Sequence, residues 1–185
     1  IIQSLIIFII NKSRFFLSSK LFLFCRFMSQ SSCSYLVKRS DTSNAIYILN
    51  KLDIGISRRI YIGLDDEYFK AVKALKWISL LDKSNKEKDI SNFLDIGANI
   101  GNITIPLLLQ NLIQNAVLWE PMEENFKILK ANIILNNLEN RVEIHKKALG
   151  EKFCEVDLEL SENNFGDHRI HKIDCTGKYN EHLRV

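Results

Sequence analysis

Hydrophobic and polar positions divide the chain into three textures. Residues 1–10 are apolar at eight of ten positions, and the run is broken at 11–14 and again at 18–20. No stretch reaches the ~18–20 apolar residues of a membrane span, so no integral span is expected. Residues 29–64 are mixed. Two short apolar runs there, 45–49 and 59–62, read as strands punctuated by Gly55 and Gly63. From 65 to 82 apolar residues recur at Phe69, Val72, Leu75, Ile78 and Leu81, widened by Tyr68, Ala71, Ala74 and Trp77, with Lys70, Lys73 and Lys76 opposite. That spacing predicts a helix packed on a sheet, opened by Asp65 and Asp66 at its positive end. The charged stretch 82–89 reads as a linker.

Beyond it strands and helices alternate. The pattern predicts a strand at 93–96, a helix at 103–112 with Pro106 near its start, and a strand at 116–120 ended by Pro121. A helix at 123–136 and a third strand at 142–148 follow. Strand–helix–strand–helix–strand at this spacing implies an α/β fold with a Rossmann-like, doubly wound, mostly parallel sheet. Residues 153–160 alternate apolar and acidic and read as an edge strand. The organisation expected is a hydrophobic basic leader at 1–28, N-terminal strands and a helix at 29–89, and a ligand-binding α/β domain at 90–185.

Composition narrows the function. The 185 residues are 46% hydrophobic and 25% charged, which suits one packed domain and excludes collagen-like, mucin-like and wholly disordered chains. Cys25, Cys33, Cys154 and Cys175 contain no C-x-x-C pair, so free thiols are the simplest reading. The net charge of +3 is uneven: residues 1–64 carry nine Lys/Arg against two Asp, and residues 65–185 carry sixteen against twenty Asp/Glu. A mildly acidic main body argues against a nucleic-acid partner, which calls for a clustered basic face. Residues 1–28 contain no acid. They read as a targeting segment, a membrane-surface anchor, or sequence upstream of a start at Met28, the last being preferred. A cytoplasmic location is expected if so.

The chemistry concentrates at Asp95-Ile96-Gly97-Ala98-Asn99-Ile100-Gly101. A strand here turns and opens a helix. The glycines permit a tight turn and close ligand approach, and the helix start offers free N–H groups. Asp95 stands at the carboxyl edge of the strand, where open α/β sheets bind ligands. Glu120 ends the next strand, where an acid can accept both hydroxyls of a ribose. Together they predict a nucleoside site. The register Gly97-x-Asn99-x-Gly101 fails the dinucleotide G-x-G-x-x-G fingerprint, and no Gly-Lys-Ser/Thr marks a P-loop. An acid two residues before the first glycine is the pattern of S-adenosylmethionine sites.

These motifs resemble the FkbM-type methyltransferase family. The resemblance rests on residues 95–101, Glu120-Pro121 followed by Glu124-Asn125-Phe126, Leu129-Lys130-Ala131-Asn132 with Leu135-Asn136, and Ala148-Leu149-Gly150. Asn163-Asn164-Phe165-Gly166-Asp167-His168-Arg169 is similar to a further motif of that family. The match covers roughly residues 60–170. It implies a class I methyltransferase fold using S-adenosyl-L-methionine, with a hydroxyl of a small molecule, sugar or glycan as acceptor. By the same resemblance Asp95, Gly97, Asn99 and Gly101 line the methionine end, Glu120 takes the ribose, and Ala148 lies near the adenine.

Asp167 and His168 are the candidate catalytic pair, His168 as a base for a hydroxyl proton. Methyl transfer is governed largely by alignment, so a dedicated base is not required. His168 and His171 with Cys175 lack an evident fourth ligand, and no metal is expected. The fourth strand of the family is not found. Residues 172–177 resemble it only superficially, and the opening on Ile1 and the ending on Val185 both read as cut, so the domain is expected to be incomplete. The rival readings are a non-catalytic S-adenosylmethionine-binding remnant, a nucleotide- or NAD-binding oxidoreductase, and a nucleic-acid methyltransferase.

Overall fold

The computed structural model describes residues 34–64, 66–81, 90–150, 157–161, 164–170 and 183–184. The leader at 1–28, Asp65, the 82–89 linker, residues 153–156, Asn163, His171, the run 172–177 and all four cysteines lie outside them.

Tyr35–Arg39 (β1) and Ile46–Asn50 (β2) form an antiparallel hairpin in which Tyr35 faces Asn50 and Arg39 faces Ile46. The run at 59–62, expected as a strand, belongs instead to a helix, Ile56–Tyr61 (α1). The buried Asp53 carboxylate decides this: it accepts the backbone N–H of Gly55 at 3.0 Å and of Ser57 at 2.7 Å, satisfying the donors of a nascent first turn. Ile56 and Ile60 then share one face at i, i+4 spacing.

Asp66–Leu81 (α2) is the predicted long helix, but only its first half packs well. Tyr68 is buried and Ala71, Val72 and Leu75 lean on the core, whereas Trp77, Ile78 and Leu80 are more than half exposed. A three-residue rhythm steps 60° backwards round a helix each time, because three residues turn only 300°. The stripe read from sequence therefore rotates off the packed face before the helix ends.

The central sheet is parallel, in the order Asn92–Ile96 (β3), Asn115–Trp119 (β4), Val142–His145 (β5), with Asp95 opposite Leu118 and Trp119 opposite His145. Its crossovers contain Thr104–Leu109 (α3) and Glu123–Leu135 (α4). The parallel α/β architecture expected from the alternating texture is present. One face, with Ala116 and Leu118 at 2% and 0% exposure, packs into the core with Ile105, Leu107, Leu108, Leu129 and Ile133. The other carries Leu94 and Ile96, both more than half exposed, so among the described residues helices cover one face of the sheet.

The helix predicted at 103–112 is six residues long. Asn111 adopts a positive φ of 53°, and the Arg141 guanidinium binds the carbonyls of Leu108, Ile113 and Gln114 at 2.7–2.9 Å, which ends it. Strand β5 stops at His145, three residues earlier than expected. Asp157–Glu159 (β6) pairs antiparallel with Arg169–Ile170 (β7) and Leu183–Arg184 (β8) in a second small sheet.

The parts are tied together by three buried amides, two on α4 and one at its C-terminal cap, Asn136. Asn125, Asn132 and Asn136 stand at i, i+7 and i+11, within about 40° of one another round the helix. Asn136 forms a two-way pair with Ile46 of β2, accepting its N–H at 2.9 Å and donating to its carbonyl at 2.7 Å. Asn132 accepts the N–H of Ile48 at 2.7 Å and donates to the carbonyl of Ile100 at 2.9 Å, joining the hairpin to the glycine loop. Helix side chains thus complete a strand edge. Asn132→Ala would strand both backbone groups in the core. The expected loss is about 2 kcal/mol or more in urea unfolding, because each abandoned buried polar group costs roughly 1–3 kcal/mol; a loss below about 0.5 kcal/mol would refute the role given to this amide.

Candidate functional site

The loop from Gly97 to Gly101 folds against the carboxyl end of β4 through three consecutive amides. Gly97 and Ala98 both donate to the Trp119 carbonyl, at 2.9 and 3.0 Å, and Asn99 donates its backbone N–H to Glu120 Oε2 at 2.8 Å. The loop holds left-handed backbone at Gly97, Asn99 and Gly101, with φ of 84°, 50° and 85°. Asn tolerates that region better than other side-chain-bearing residues, so its place between two glycines is a backbone requirement as well as a chemical one. The two glycines differ in surroundings. A Cβ at Gly101 would lie 2.6 Å from Ile105 Cδ1 and 3.0 Å from Leu129 Cδ1, so that glycine serves core packing. A Cβ at Gly97 would meet nothing within 4 Å, leaving open space at the strand end.

Glu120 is 5% exposed and held on both oxygens, Oε2 by Asn99 and Oε1 by the Met122 N–H at 2.9 Å. Loss of water pushes its pKa up, against the lowering effect of these bonds and of a side-chain hydrogen bond from Asn125, and with a further upward push from Asp95. Asp95 is 9% exposed and accepts the Thr104 hydroxyl at 2.5 Å. Burial likewise raises its pKa, opposed by the Thr104 bond and reinforced by Glu67. The free N–H groups expected at the following helix are partly used: α3 begins only at Thr104, and Ile105 N–H already bonds the Gly101 carbonyl. Ala148, expected at a strand tip, lies three residues past the end of β5 and is half-buried. Trp119 stacks on His145 with ring centroids 5.2 Å apart.

The loop bearing the candidate catalytic pair is tethered to this centre. Asn99 and Asn125 each donate an Nδ2–H to the Phe165 carbonyl at 2.9 Å, and the Phe165 N–H bonds Asp53 Oδ1 at 3.2 Å. Among the described residues the Asn99 Oδ1 atom is buried with no partner, a state that costs roughly 1–3 kcal/mol unless a donor arrives.

Asp167 and His168 fare differently. Asp167 is exposed and occupied by Arg169 at 2.7 and 3.0 Å. His168 is half-buried, stacked on Phe165, and its pKa is lowered by burial despite the nearby Asp53 and Asp167. Its Nδ1 accepts the Ser161 N–H at 3.1 Å. The neutral ring therefore carries its proton on Nε2 and offers a donor there, which does not fit the expected general base. Sequence reasoning missed Asp53 altogether, although an acid two residues before Gly55 and four before Ser57 is a turn-and-cap pattern. It quoted Asn125 only as part of a motif. Among the described residues no cluster of His, Cys, Asp or Glu could hold a metal ion.

No protein-family model and no curated protein matches the chain. Solved structures are similar to part of the chain. The Pyrococcus horikoshii protein TYW2, solved with MeSAdo, is 19% identical with a TM-score of 0.47 over 65% of this chain and 38% of its own. The Pyrococcus abyssi tRNA (uracil-54, C5)-methyltransferase, solved with S-adenosyl-L-homocysteine, is 16% identical with a TM-score of 0.38 over 62% of this chain and 24% of its own. The M. jannaschii tRNA m1G37 methyltransferase is 14% identical with a TM-score of 0.41 over 62% and 29%. The chain thus spans well under half the length of each.

The two raised acids make stability depend on pH in a defined direction. The unfolded chain releases these protons near the ordinary 3.8 and 4.5, and the folded chain holds them longer. Their contribution is complete below those values and is lost as pH rises through the raised ones. Asp95→Asn keeps an oxygen for Thr104 and removes the ionisation. Its urea midpoint, relative to the original protein, is expected to be higher at pH 7 than at pH 4; the same difference at both would contradict the assignment.

Proposed function

We propose that the chain carries the nucleoside-binding part of an S-adenosylmethionine-dependent methyltransferase that acts on a hydroxyl of a small molecule, sugar or glycan. The observation that carries this reading is the Glu120 carboxylate, buried at the carboxyl end of β4 and braced by the loop amide of Asn99. Each carboxylate oxygen accepts one backbone N–H, and a carboxylate offers about four lone-pair sites. The Asn125 side chain also hydrogen-bonds this carboxylate, and the position left over is an acceptor for a ribose hydroxyl.

The rest of the donor set also fits. Gly97 leaves room for close approach, and Asn99 Oδ1 needs a donor such as an amino group. In this reading Asp95, Gly97, Asn99 and Gly101 form the methionine end, Glu120 holds the ribose, and Ala148 borders the adenine. S-adenosylmethionine, when bound, supplies an electrophilic methyl on a sulfonium sulfur. The chain's own residues bind and orient: the braced Glu120 fixes the ribose, and alignment with the acceptor does most of the catalytic work. His168, neutral with a donor at Nε2, would hold an acceptor oxygen in place rather than remove its proton. Asp167 is engaged by Arg169 through one of its two carboxylate oxygens. Among the described residues no helix is long and apolar enough to cross a membrane.

Calorimetric titration with S-adenosylhomocysteine tests the reading. Saturable binding is expected, weakened about tenfold or more in Glu120→Gln, the equivalent of roughly 1.4 kcal/mol. NAD titrated in parallel should give no heat. Heat from NAD alone would replace the reading with the oxidoreductase alternative, and no heat from either ligand with a folded chain would remove it. Competition by tRNA, the acceptor named for two of the similar structures, would move the acceptor class from hydroxyl compounds to RNA.

A further inference from the structure

The backbone of one residue, Phe165, gathers three of the chain's buried polar side chains. The carbonyl of Phe165 takes two amide donors, from Asn99 of the glycine loop and Asn125 of α4, and its N–H goes to Asp53. Asp53 and Asn125 are each 2% exposed. Three elements far apart in sequence converge on this single backbone unit, three residues before His168.

Steric contact repeats the message. A Cβ on Gly55 would lie 2.0 Å from Asn164 Oδ1, and one on Gly166 would lie 2.7 Å from Ile56 Cδ1. The 164–166 segment therefore lies against the turn that Asp53 organises, so closely that a Cβ at either glycine would shift a side-chain tip. The ring of His168 then stacks on Phe165, while its Nδ1 takes the Ser161 N–H. Backbone, glycine contacts and ring stacking all fix the same short loop.

We infer that Asp53 and Asn125 are positioning residues which, acting through the Phe165 backbone, set His168 beside the glycine loop. This rests on the reading of that loop and Glu120 as the cofactor site. Asn125 sits on the helix that follows Glu120, and Asp53 lies on the far side of the Phe165 backbone from the two amides. The acceptor side of the site is thereby built from behind: Asp53 bonds backbone N–H groups, and Asn125 bonds the Phe165 carbonyl and also the Glu120 carboxylate. Asn99 shares the Phe165 carbonyl with Asn125, so the residue expected to line the cofactor and the one holding the acceptor-side loop act on one oxygen atom.

The test follows the His168 ring by proton NMR titration in the full chain, the Asn125→Ala variant and the Gly55→Ala variant. The charged groups facing the ring are Asp53 and Asp167, and neither variant removes them. Asn125→Ala deletes a tether, and Gly55→Ala pushes Asn164 from the opposite side. Both should release the ring toward water and move its midpoint upward, toward the ordinary 6.5. Should Asn125→Ala fail to fold, Gly55→Ala carries the test alone, since it leaves α4 intact. A midpoint that stays put in a folded variant would overturn the inference and leave the cofactor reading untouched. Absence of S-adenosylhomocysteine binding in the unaltered chain would overturn both.

Discussion

The structure depends on α4 presenting buried amides to backbone that would otherwise go unpaired. A strand edge and two loops meet this helix, and each brings carbonyls or N–H groups into a region without water. Asn136 and Asn132 complete the edge of β2, Asn132 also holds the carbonyl of Ile100, and Asn125 holds that of Phe165. An apolar helix face would bury comparable area and leave those groups stranded, at roughly 1–3 kcal/mol each. Packing alone therefore does not explain this sequence. The amides fix where the hairpin and the two loops sit relative to the sheet, and the candidate site lies where those loops meet β4.

The site itself works against stability. Asp95 and Glu120 are buried acids whose charged forms are disfavoured by lost solvation, and Asn99 Oδ1 is buried without a partner among the described residues. Three backbone positions are held at positive φ within five residues. A chain selected for stability alone would replace these features, so their concentration at the carboxyl end of two adjacent parallel strands is a physical argument for a ligand. The form of the deficit also describes that ligand. Acceptor oxygens with spare lone pairs ask for hydroxyl and amino donors, and this is the chemistry of a ribose joined to an amino acid end.

Much of this was legible in the sequence where local signals and tertiary needs agree. The alternation after residue 90 set out β3, α3, β4, α4 and β5 in order, because parallel strands in a buried sheet read as short apolar runs between helical periods. Glu120 stood out only beside the glycine loop, because a lone acid at a strand end is more simply a solvated one. Legibility failed where a distant partner decides the outcome. The 59–62 run became helix because Asp53 supplies its first-turn acceptors. Helix α3 stopped early where Arg141, some thirty residues on, binds the Leu108 carbonyl and that of Ile113 just beyond the helix. The expected base at His168 was altered by a bond to Ser161 that no spacing rule announces.

The claim that the glycine loop and Glu120 form one nucleoside site is tested most directly by amide chemical-shift mapping on the nitrogen-15-labelled chain during addition of S-adenosylhomocysteine. The account predicts concerted movement of the Gly97, Ala98, Asn99 and Met122 amides, saturating at one ligand per chain, with Val37 and Lys38 on β1 unmoved. Perturbation centred on the exposed face carrying Leu94 and Ile96, or no movement in a folded chain, would contradict it.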